Sequence, residues 1–295
     1  MAEHAEMLQR DSRSLAIALG VTGVVFVAEL VGGFVANSLA LIADAVHMLS
    51  DLAALGLGLF ALWLSSRPAP PEKTYGYYRT EILAALFNGI LLVVVALYIL
   101  YEAYTRLQNP GEVRSGLMLI VASIGLAANL ASAFVLSGHV KENLNVRAAF
   151  MHVVSDASAS VGTVSAALVI IATGFLLADP GISILIGLLI IFNAWQLTQE
   201  AIDVLMEAAP AHINLRSLED TLLEVSGVKS VHDLHVWTVT SGLVSMSGHV
   251  VVEDAADRQH ILEQVCEAMQ RKYKLTHCTL QLEIEGSQPH EDHFW

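Results

Sequence analysis

TEILAALFNGILLVVVALYILYEAYTR (80–106) holds no charged residue between Glu81 and Glu102. A helix rises ~1.5 Å per residue, so this run is long enough to cross a hydrocarbon core of ~30 Å. Five further apolar runs flank it, at about 15–35, 39–65, 114–138, 146–177 and 181–206. Hydrophobic residues make up 55% of the 295, and only 15% are charged. The mean hydropathy of +0.58 belongs to a polytopic membrane protein rather than a soluble one. The first two runs are separated only by the stretch from Gly32 to Ser38, and the last two by Ala178-Asp179-Pro180-Gly181. Both are turn signals, with Pro180 placed to start a helix.

Basic residues orient the six spans. Arg10 and Arg13 precede the first, Arg67, Lys73 and Arg79 lie between the second and third, and Lys141 and Arg147 between the fourth and fifth. The opposite side carries only Arg106 and Arg114, so the positive-inside rule predicts both termini in the cytoplasm. No cleaved leader is read in residues 1–14, which form a cytoplasmic N-terminal segment. The net charge of −14 argues against nucleic acid, which needs clustered Lys and Arg. Without a GxxxxGK[ST] loop, nucleotide hydrolysis within the chain is not expected either. Cys266 and Cys278 form no CxxC pair and no disulfide framework, which suits a reducing compartment.

Past the transmembrane region (15–208) the pattern changes. LRSLEDTLLEV (215–225) and DRQHILEQVCEAMQRKY (257–273) repeat at helical spacing, whereas SVHDLHVWTVT (230–240), LVSMSGHVVVE (243–253) and CTLQLEIE (278–285) alternate as strands. The order α-β-β-α-β over 209–285 predicts a small α+β domain, followed by an aperiodic tail at 286–295 in which His290 and His293 read as solvated.

Charged residues within apolar spans carry the functional signal. The second span contains Asp44, His47 and Asp51, and the fifth His152 and Asp156. An intramembrane carboxylate costs several kcal/mol unless it faces protein or water. His47 and Asp51 are four apart, as are His152 and Asp156, so each helix offers an imidazole and a carboxylate on one face. Side by side, the two helices supply the four N/O ligands that Zn²⁺ accepts. Such ligands exchange metal for protons, as a carrier requires. The competing reading is a pair of buried hydrogen bonds that fix helix packing. Asp44 lies near the same face, on an access path or at the mouth of the span. Glu29, Glu81, Glu102, Asn37, Asn88 and Asn129 line a polar route or bond between helices. A zinc hydrolase would need an open ligand position and a general base, and neither is evident, so no enzyme is expected. A metal-conducting channel and a non-transporting membrane zinc sensor remain as alternatives to a carrier.

HMLSD in the second span, HVVSD in the fifth, YGYYRTE (75–81), VHDLHVW (231–237) and SGHVVV (247–252) together resemble the cation diffusion facilitator family, in particular its bacterial zinc-transporting branch. The resemblance covers roughly residues 10–285. It implies a homodimer in the cell inner membrane that exports Zn²⁺ and other divalent cations against inward proton flow by alternating access. Its transport site carries over to His47, Asp51, His152 and Asp156, with histidine at both first positions resembling members that favour zinc over cadmium. It also implies a ferredoxin-like, metallochaperone-like cytoplasmic domain holding a structural or regulatory zinc. The candidates there are His232, His235, His249, His277 and Glu283. Strand alternation predicts His232 on the opposite side of the pleat from His235. The last strand lacks the His followed by Asp of the bacterial pattern, which favours one ion over two. Arg79 and Glu81 stand where the family places charges linking the membrane and soluble parts; a membrane-surface anchor is the other reading.

Overall fold

The computed structural model describes residues 20–65, 67, 70–137, 144–253 and 257–284, and of some of these, Asp51 and His152 among them, the backbone alone. The N-terminal segment with His4, the start of the first span, the loop containing His139 and Lys141, and the tail with His290 and His293 lie outside the described residues.

Six apolar helices come first: α1 (Gly20–Ala36), α2 (Leu39–Ser65), α3 (Thr80–Gln108), α4 (Ser115–Ser137), α5 (Leu144–Thr173) and α6 (Ala178–Leu205). Among the described residues, four stretches are long and apolar enough to cross a membrane: Thr80–Gln108, Ser115–Val135, Val153–Thr173 and Ala178–Leu205. The other two apolar stretches, Gly20–Ala36 and Leu39–Ser50, are shorter. Large apolar side chains such as Phe87, Phe134 and Phe192 face outward, as lipid rather than water would favour.

The chain divides into two compact units. In the first (1–59 and 87–198), α2 belongs to both halves of the core. Leu39, Ala43 and Val46 pack with Ala96 and Ile99 of α3 and Ile186 and Ile190 of α6, while Ala40 and Leu41 pack with Met118 of α4 and Ala166 and Ile170 of α5. Alanine recurs at these contacts, which lets helices approach closely where no hydrophobic effect drives them together. A Cβ at Gly125 of α4 would collide with Oε1 of the buried Glu29 of α1, so a larger residue there would have to displace that carboxylate.

The turn between α1 and α2 is fixed by polar bonds from elsewhere in the bundle. Asn37 has φ 54°, and its side-chain and main-chain oxygens accept from Arg106, at 3.0 and 2.8 Å. Asp179, fully buried at the start of α6, accepts from the Ser38 hydroxyl at 2.6 Å, Leu39 N at 2.9 Å and Ala40 N at 3.2 Å. These amides have no partner within α2, so Asp179 caps that helix from another.

The second unit (60–86 and 199–295) contains α7 (Leu215–Leu223), β1 (Val228–Thr240), β2 (Leu243–Val252), α8 (Arg258–Tyr273) and β3 (His277–Ile284). Asn214 and Asp257 cap α7 and α8 by accepting from Ser217 N and His260 N. β1 pairs antiparallel with β2, and β2 parallel with β3, so α8 is the crossover a parallel pair requires. The even-numbered Val244, Met246, Val250 and Val252 of β2 pack under Leu218, Leu222, Ile261, Val265 and Met269. That leaves the odd-numbered face free of the helices.

Within the same unit the start of α3 is fastened to the β1–β2 turn. Glu81 accepts from the Thr240 hydroxyl through Oε2 and from the Ser241 hydroxyl at 2.7 Å through Oε1. Arg79 pairs with Glu207 at 2.7 Å. Glu81 thus contacts the polar domain, whereas Arg79 pairs with a residue just past the end of α6.

Candidate metal sites

Asp44 and His47 lie three apart on α2 and share a face, and Asp156 and Ser160 do the same four apart on α5. The two faces meet. His47 Nε2 lies 3.4 Å from Asp156 Oδ1, and the Ser160 hydroxyl donates to Asp44 Oδ2 at 3.2 Å. All four residues are buried, His47 to 5% exposure and Asp156 to 2%. Three acidic or basic side chains thus crowd one apolar interface, where leaving them unmatched is costly. The contact supplies an imidazole nitrogen and a carboxylate oxygen from different helices. Ser160 escaped the sequence reading, although its place four residues after Asp156 was the available signal. Asp51 and His152 continue α2 and α5.

The second group lies on the helix-free face of the sheet. His232 pairs with His249 across β1 and β2, and Glu283 stands beside them on β3, opposite Val251. Glu283 Oε1 is 2.8 Å from His249 Nδ1, and its Oε2 is 3.5 Å from His232 Nε2. One ligand atom from each lies within 4.8 Å of the others, a spacing able to hold a metal ion; among the described residues this is the one such group. Two imidazoles and a carboxylate form a donor set suited to zinc.

The expectation that His232 and His235 lie across the pleat from each other is overturned. His232 stands opposite His249 and His235 opposite Ser247, so Asp233 and Leu234 together face Gly248 alone. This β-bulge adds a residue to β1, cancels the alternation and returns both histidines to one face. Asp233 takes φ 50°, a conformation an aspartate adopts at some cost. Its Oδ1 lies 2.8 Å from His235 Nε2 and its Oδ2 3.8 Å from His249 Nε2. The hydrogen bond with His235, and then the nearby imidazoles, hold the Asp233 carboxyl below the usual carboxylate range. A Cβ at Gly248 would come within 3.2 Å of the Leu234 side chain, so a larger residue opposite the bulge would make that leucine shift. Asp233 was absent from the candidates; its position between the two histidines in HDLH was the clue.

His277 is not brought into this group. It pairs with Ser245, whereas His249 pairs with Gln281, four residues along β3 and so roughly 13 Å away at the usual strand rise.

A bundle of apolar helices with a buried His–Asp contact, carrying a polar domain with its own His/Glu cluster, defines a membrane carrier of metal cations rather than an enzyme. The cation efflux transmembrane domain matches residues 15–206, and the cation efflux protein cytoplasmic domain matches residues 210–285. The chain belongs to the cation diffusion facilitator family. It is 44% identical to the metal cation efflux system protein CzcD of Cupriavidus metallidurans over 275 residues, 93% of this chain and 87% of that protein. It is 41% identical to the zinc transporter ZitB of Escherichia coli, over 93% of this chain and 88% of that one. It is also 41% identical to the cadmium, cobalt and zinc/H(+)-K(+) antiporter of Bacillus subtilis, over 90% and 86%.

Proposed function

We propose that this carrier exports Zn²⁺, along with other divalent cations, from the cytoplasm across the inner membrane in exchange for protons, by alternating access in a homodimer with both termini cytoplasmic. The ion is bound by His47, Asp51, His152 and Asp156. The observation that carries this reading is the buried contact between His47 of α2 and Asp156 of α5 at 3.4 Å. The rungs 44/160 and 47/156 run in antiparallel register, and one further turn in each helix leads to positions 51 and 152. Two imidazoles and two carboxylates neutralise a dication, and their protonation releases it on the far side. The names of the Escherichia coli and Bacillus subtilis relatives support zinc as substrate and protons as counter-ion. The match to the cytoplasmic domain of cation efflux proteins supports the dimer, and the Arg and Lys distribution supports the orientation. A second Zn²⁺, structural or regulatory, is held by His232, His249 and Glu283.

The test is Zn²⁺ flux into proteoliposomes with an imposed pH gradient, for the parent chain and for Asp51→Ala. Gradient-driven uphill flux that vanishes in the variant is expected. Flux that only dissipates a zinc gradient would indicate a channel, and zinc binding without flux a sensor; either would overturn the exchange mechanism.

A further inference from the structure

The second unit contains a cavity of about 330 Å³ between the segment joining α2 to α3 and the ends of β2 and β3. Arg67, Tyr75 and Tyr78 line one side, Ser245 and His277 the other. None of its nine lining residues is acidic, in a chain with 29 Asp and Glu and a net charge of −14. The guanidinium of Arg67 stacks on Trp63, 4.2 Å from the ring centroid, and forms no ion pair among the described residues. By contrast Arg79, in the same segment, is paired with Glu207. Ser245 is fully buried, and its hydroxyl has no hydrogen-bond partner among the described residues. A buried hydroxyl without a partner carries a cost that a ligand can relieve.

A guanidinium, two phenols, an imidazole and an unbonded hydroxyl around one space form a donor-rich recess, and the two walls are held together by Glu81 on Thr240 and Ser241. We propose that this cavity binds a phosphate-bearing anion. Arg67 supplies the charge and the fork geometry that phosphate oxygens accept, while Ser245, Tyr75, Tyr78 and His277 complete the hydrogen bonding. Trp63, Tyr75 and Tyr78 are all partly exposed beside an apolar helix end, the residue types that gather at headgroup level. An acidic phospholipid headgroup and free phosphate share this chemistry. The volume lies within the ~300–1,000 Å³ typical of small-ligand sites.

The test uses the full-length protein in detergent, by native mass spectrometry with dioleoyl phosphatidylglycerol or dioleoyl phosphatidylcholine, and by calorimetry with inorganic phosphate. One saturable anion per chain is expected, bound about tenfold more weakly in both Arg67→Gln and Ser245→Val. Phosphatidylglycerol that binds and resists displacement by phosphate identifies a lipid site; phosphate that binds alone and excludes the lipid identifies a soluble-anion site. Equal affinity for the two lipids together with no phosphate binding, or an affinity unchanged in Arg67→Gln, overturns the proposal. Arg67 is exposed, so its variant stays informative even where Ser245→Val perturbs folding.

Discussion

The two candidate metal sites use the same donor chemistry in opposite surroundings. His47 and Asp156 are buried between helices, whereas the His232 and His249 side chains are 36% and 20% exposed on the sheet face away from α7 and α8. A carboxylate between lipid-embedded helices pays for its burial unless a cation, a proton or a bonded partner accompanies it. That requirement suits a site whose charge must change during a cycle. On the sheet the three side chains are only partly buried, so water reaches the imidazoles, and losing one of the three should disturb the fold less.

Removing one carboxylate from each site should separate their roles most clearly. Asp156→Ala takes a proposed ligand and a charge from the buried site, and gradient-driven zinc flux is expected to fall at least about a hundredfold, with helicity by circular dichroism retained. Glu283→Ala is expected to leave flux within about threefold of the parent, as for sites that act independently. Should Glu283→Ala silence transport as fully as Asp156→Ala, the exposed cluster would be part of the transport cycle and the distinction would fail.

How far each region was legible follows from the same contrast. Helical spans and the α-β-β-α-β order were readable because apolar run length and alternation are local signals, and the expected fold class agrees with the structure. The contact between His47 and Asp156 was anticipated by residue type and spacing within each helix. What escaped depends on pairing between distant segments. Whether Asp179 serves α6 or caps α2 cannot be read from its neighbours, because its three partners lie about 140 positions away in sequence. The bulge at Asp233 is set by the length of β1 against β2, and it reversed the face of His232 without any change in strand propensity.

Smaller effects sharpen the picture. Asp179→Ala strips three hydrogen bonds from a buried position and leaves the α2 amides unpaired, so a loss of about 2–3 kcal/mol is expected, read as a lower thermal midpoint in detergent. The sheet cluster should respond less. His249→Ala removes one of three proposed ligands, and calorimetry on the full chain is expected to show zinc bound at this cluster about 10–100-fold more weakly, with the membrane site unaffected. Weakening of both sites together would show that they are coupled.

The smallest effect tests whether the helical layer over the sheet bears on the metal face beneath it. The Tyr273 hydroxyl donates to Ser217 O at 2.6 Å and lies 2.9 Å from Thr221 Oγ1, which also accepts from Lys272 at 2.8 Å. These bonds join α7 to the end of α8 on the side of the sheet opposite His232, His249 and Glu283. Tyr273→Phe deletes the hydroxyl and keeps the ring, so the expected loss is about 1 kcal/mol, or roughly fivefold faster amide exchange in α7. Exchange in β1 and β2 and the zinc affinity of the cluster should not change, because His232, His249 and Glu283 lie on the other face. Accelerated exchange spreading into β1 together with weaker zinc binding would mean that the sheet transmits helix packing to its ligands, making the exposed cluster a reporter of how the domain is packed.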